Sequence, residues 1–140
     1  MKHLSTLAIT LILSSSVLAA PAAPPKFATK DNSPATLMTP DHANALWAEA
    51  LPAKVAKLYP IKKWGYISEV NGGFDASKTC IIVARAMMVP LKGKSFLYEP
   101  KKTSVSFASQ AGATAEQCNA LAHAKLKEAV QSVASSLVSN

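Results

Sequence analysis

Cys80 and Cys118 are the residues of this chain with the most narrowly defined chemistry, and they are its only two cysteines. A thiol pair can cycle as a redox couple, ligate a metal or close a structural disulfide. Redox couples keep their thiols in a CxxC arrangement, and these two stand far apart in the sequence. The spacing therefore predicts a structural disulfide.

Other chemistries can be tested against residue types in the same way. Thioether and imidazole ligands suit copper, and the chain offers Met38, Met87, Met88 and His42. Met87 and Met88 are consecutive in a strand-like run and so point to opposite faces, and no HxxH, HxxxH or MxxM pattern occurs. No metal site is expected. A serine hydrolase would want a GxSxG elbow, which is absent. Acid/base work needs two carboxylates in one cleft, whereas Glu69, Asp75 and Glu99 are scattered over strands and turns. Gly72-Gly73 lies between two strands and reads as a hairpin turn, since a phosphate cradle would feed a helix. No catalytic residue and no cofactor are expected.

The lysines remain. The formal net charge is +7. Lys62, Lys63, Lys92 and Lys94 fall at strand ends and turns, and an up-and-down meander would bring them to one edge with Trp64 and Tyr66 beside them. Such a patch attracts an anionic envelope component or the acidic face of a partner protein. Nucleic acid is not expected, because no nucleic-acid-binding fold accompanies the charge.

Arg85 is the other candidate contact. It stands in the apolar run "KTCIIVARAMMVP", Lys78 to Pro90. Alternation puts Cys80, Ile82, Ala84, Ala86 and Met88 on one face, and Ile81, Val83, Arg85, Met87 and Val89 on the other. The first face should lie under helices. The second is expected to be partly wet, with Arg85 reaching water or pairing with Glu69 or Glu99, or else covered by the tether, another copy or a partner.

The elements that must position these residues are legible from punctuation and period. The start "MKHLSTLAITLILSSSVLAAPAAPP" joins a short positive region to an apolar run and small residues, the pattern of a cleaved signal peptide over 1–19. Its apolar run is shorter than the roughly 18 residues a membrane span needs, and no later stretch reaches that length. The chain is thus expected to be periplasmic or secreted, in a disulfide-permitting compartment. Residues 20–38, rich in Pro and Ala, read as a flexible tether, with Phe27, Leu37 and Met38 able to dock. Residues 39–140 read as one small domain.

Thr39-Pro40-Asp41 is a helix start, and an apolar stripe runs on past Pro52, which should kink the helix or split it. Strand-like runs follow from Trp64 to Phe107 and predict an antiparallel meander of three to four strands. Thr114 and Gln117 form a capping box that opens a C-terminal helix with one apolar face. The expected fold is α+β, with the N-terminal helix, the meander, and the C-terminal helix packed on one face of the sheet. The function these features predict is that of a small exported, non-enzymatic binding or accessory protein. It would act through the basic and aromatic edge or through the Arg85 face. A small extracytoplasmic enzyme or metal-binding carrier is the alternative.

Overall fold

The computed structural model describes residues 26–139. The expected signal peptide and the first part of the expected tether lie outside the described residues.

Soon after the described residues begin, a strand stands where a tether was expected. β1, Ala28–Asp31, pairs in parallel with β2, Trp64–Phe74, in a register running from Ala28↔Gly65 to Asp31↔Ser68. Parallel neighbours need a crossover connection, and two helices supply it. α1, Pro40–Ala50, is capped by Thr39, whose hydroxyl accepts from the His42 amide at 3.4 Å. Pro52 has no amide hydrogen to continue that helix, and the chain restarts as α2, Ala53–Leu58. Of the kink and the split anticipated at Pro52, the chain makes the split.

The sheet is accordingly mixed, not purely antiparallel. From Ala28 onward the expected tether belongs to the body: Leu37 and Met38 are buried, and Phe27 packs against the core. Ser33 ties this segment down by accepting from the Val70 amide at 2.9 Å and donating to Asp31 at 2.7 Å.

β2 runs antiparallel to β3, Thr79–Lys92, which pairs on its other side with β5, Lys102–Ala111. A two-residue strand, β4, Ser95–Phe96, folds back on Leu91 and Lys92. Gly72 and Gly73 are not the hairpin turn but the last part of β2, at φ 136° and 140°. A Cβ at Gly72 would lie 1.9 Å from the carbonyl oxygen of Ile81, so only glycine fits. The turn itself is made by Asp75, whose carboxylate accepts from the amides of Ser77 at 2.8 Å and Thr79 at 2.9 Å.

α3, Ala115–Val138, opens with the Thr114/Gln117 capping box and packs across β3 and β5. Cys80, Ile82, Ala84, Ala86 and Met88 are all buried beneath the helices, against Cys118, Ala122, Leu126, Ala129, Val130 and Val133 of α3. The two alanines leave room for the helix to approach the sheet closely. Cys80 and Cys118 are disulfide-bonded, with Cα atoms 5.7 Å apart. Over β2, Trp47 of α1 fills the core and its indole N–H donates to the buried hydroxyl of Ser68 at 3.0 Å. That bond lets a serine stand in an otherwise apolar interior.

Candidate functional site

Strand direction decides where the lysines go. β2 begins opposite Pro90, and the Lys63 carbonyl accepts from the Leu91 amide at 2.8 Å, so Lys62 and Lys63 flank the end of β3. Lys92 and Lys94 occupy the β3–β4 turn next to them. β5 starts opposite Met88, where the Lys101 amide donates to the Met88 carbonyl at 2.9 Å, which brings Lys101 and Lys102 to the same end. β1 starts opposite Gly65, so Lys26 arrives there too. All but the half-buried Lys102 are exposed, and the acid on the connecting loop is Glu99. The four lysines read from the sequence thus share one end of the sheet. Lys26, Lys101 and Lys102 enlarge the group, Lys26 by a parallel strand that the sequence did not reveal.

The two expected aromatics behave differently. Trp64 is half-buried and meets the Tyr59 ring edge-on at 6.0 Å beside the basic end. Tyr66 is 1% exposed and sits in the core between Phe27 and Trp47, at ring distances of 5.8 and 5.0 Å, so it offers no surface. Burial pushes its phenol pKa up. The cause is pairing parity: Tyr66 stands opposite Met88 and shares its inward face.

Arg85 does not join the lysines. It projects from the middle of β3, about seven residues or roughly 20 Å from Lys92 along the strand. Its cross-strand partner is Glu69, one of the two acids anticipated. The guanidinium donates to one carboxylate oxygen through Nη2 and also through Nε, the latter at 3.1 Å. The pair holds the Glu69 carboxyl below the ordinary range.

The outer sheet face around this pair is divided. Near the basic end, Phe96 of β4 covers Ile67, Met87 and Val89. Gly65 makes that possible, since a Cβ there would lie 2.5 Å from the Phe96 ring and 3.0 Å from Leu91. The loop continues to Tyr98, whose hydroxyl accepts from Lys30 at 3.0 Å and from Asn32 at 3.1 Å. The Lys30 bond lowers the Tyr98 pKa. Beyond this cover, Val83, Val105 and Phe107 remain 39%, 59% and 62% exposed.

His42 and His123 meet across α1 and α3, with ring centroids 4.9 Å apart. Burial, reinforced by His42, lowers the pKa of His123. Among the described residues no three His, Cys, Asp or Glu side chains converge as a metal cluster would require. A cavity of about 530 Å³ is lined by residues that include Glu49, Ala50, Pro52, Gln131, Ala134 and Ser135, with one carboxylate that is turned to Lys127 at 2.8 Å. No described helix is long and apolar enough to cross a membrane.

No family model matches the chain, and no curated protein matches it. Among the solved structures with a distant likeness are two dodecamers of PelC from Paraburkholderia phytofirmans. One, a point variant, has a TM-score of 0.41 at 9% identity, covering 82% of this chain and 93% of its own. The other has a TM-score of 0.37 at 11% identity, covering 81% and 91%. Likeness at that level assigns neither a family nor an activity to this chain.

Proposed function

We propose that the chain is an exported, non-enzymatic binding protein that engages an anionic envelope component through the lysine-rich end of its sheet. One observation supports the reading above others: Lys62, Lys63, Lys92, Lys94 and Lys101 emerge from different strand ends and turns yet stand together in the open. Clustered like charge at one end of a small domain is a focused field, which draws polyanions and raises their local concentration. Lysine suits this role as a compact point charge that needs no fixed ligand geometry. Trp64 beside the cluster adds an apolar plate and a fluorescent reporter. Export is supported by the leader pattern of residues 1–19 and by a disulfide in the body.

The test is a Trp fluorescence titration with polygalacturonate, and separately with vesicles of anionic or zwitterionic lipid, at stepped salt concentrations. Binding to a polyanion is expected, weakening steadily as salt rises. The variant combining Lys62→Gln, Lys63→Gln, Lys92→Gln and Lys94→Gln should lose most of it without a change in melting temperature. Preference for polygalacturonate over vesicles would identify a glycan, and the reverse a headgroup. Absence of binding at low salt, or binding indifferent to the four substitutions, would sink the reading.

A further inference from the structure

β5 is filled on one side only. β3 takes one edge of it, and among the described residues no strand takes the other. Natural proteins guard such an edge with lysines, proline, bulges or a covering loop, because its unpaired amides and carbonyls are a template for another strand. Thr103 to Ala111 has no charge and no proline anywhere along its length. Its outward residues Thr103, Val105, Phe107 and Ser109 are all exposed, two of them large and apolar.

From this edge we infer that β5 pairs with β5 of a second copy of the chain, antiparallel, about a two-fold axis at Ser106. One continuous sheet would then run through both copies. Self-pairing of a strand uncharged from Thr103 onward is isologous, so the one edge supplies both halves of the contact.

Charge selects the direction. The start of β5 lies at the basic end, with Lys101, Lys102, Lys92 and Lys94. Its other end leads to Glu116 in the first turn of α3 and lies at the same end of the sheet as Asp75 and Lys78 of the β2–β3 turn, so two acids there face a single lysine. Antiparallel pairing sets the lysines of each copy beside the end of the other that holds Asp75 and Glu116 against one lysine, and keeps the two basic clusters apart. Parallel pairing would press the clusters together. The antiparallel arrangement also makes Val105 and Phe107 cross-strand neighbours of their counterparts, closing much of the open apolar area. This inference stands apart from the polyanion reading and needs no ligand.

The experiment is sedimentation velocity of the exported chain across a wide concentration range, with residue-resolved amide exchange on the same samples. A concentration-dependent dimer is expected, with alternate amides of 103–111 slowing as it forms. The variant combining Val105→Lys and Phe107→Lys, both at exposed positions, should weaken the dimer about tenfold or more through like-charge opposition. A chain that stays monomeric at high concentration would overturn the inference. So would a dimer whose β5 amides remain unprotected, which would mean face-to-face stacking. Protection of β5 in a persistent monomer would overturn it equally, because a segment of the same chain would then occupy the edge.

Discussion

Arg85 stands directly opposite Glu69 across β2 and β3, and two of its guanidinium nitrogens donate to one oxygen of that carboxylate. The arginine in the apolar strand is thus held in place on a half-open face, where Asn71 also donates to Glu69 at 2.9 Å and Val83, Val105 and Phe107 are the exposed large apolar residues nearby. Because the Arg85 side chain is 47% exposed and that of Glu69 23%, solvent screens their attraction, and its worth should be about 0.2–1 kcal/mol. A double-mutant cycle with Arg85→Leu and Glu69→Gln in urea measures it. The folded Glu69 pKa lies below its ordinary value, so this contribution is complete above the unfolded pKa and disappears as pH falls through the folded one. Coupling at pH 7 that is lost in strong acid is the expected outcome, and coupling indifferent to pH would contradict it.

Cys118→Ser should destabilise the domain by about 4 kcal/mol in the chain-entropy view, given a sequence separation of 38 between the bonded cysteines. The thermal melt of the variant in oxidising buffer should match that of the reduced wild type. An unchanged melt would show that the α3–β3 contact holds without its covalent link.

Gly65→Ala probes the β4 cover. The added methyl would collide with the Phe96 ring, so a loss of about 1–3 kcal/mol is expected. Phe96→Ala removes the obstruction and should make the same glycine change far less costly. Additive effects of the two substitutions in chemical denaturation would mean that the ring does not rest on Gly65.

Trp47→Phe deletes the donor to Ser68 and leaves a buried hydroxyl without its partner, at a cost of about 1–3 kcal/mol in addition to lost packing. Ser68→Ala in the Trp47→Phe background should recover part of that loss. If the second substitution only destabilises further, the hydroxyl has another partner.

Much of the body could be read from local signals because those signals are local in origin. Thr39 and Thr114 cap helices by accepting from amides only three residues on, and the alternation about Cys80 depends on one strand alone. What escaped the sequence depends on distant neighbours. β1 has four residues in a Pro- and Ala-rich stretch with one β-branched side chain among them, and only its pairing with β2 makes it a strand. Tyr66 looked like a surface aromatic because β2 is apolar on both faces near its start, where Phe96 covers one side and α1 the other, so its pattern alone could not say which way the ring points. The clustering of Lys62, Lys63, Lys92 and Lys94 was legible because it needs only short connections between successive antiparallel strands. Lys26 was not, since its place depends on the parallel strand.

The parallel strand also sets an order of events. β2 and β3 close across a tight turn at Asp75, whereas Ala28 must find Gly65 across the whole helical crossover. Loop-closure entropy makes the longer search costlier by about 2 kcal/mol, with only four residues of pairing in return. The first strand in the sequence is therefore expected to be the last to join during folding and the first to leave on local opening, with the meander and α3 persisting without it. Pulsed amide labelling during refolding should find Thr29 to Asp31 protected later than Ile81 to Met88, and simultaneous protection would show instead that the crossover forms with the nucleus.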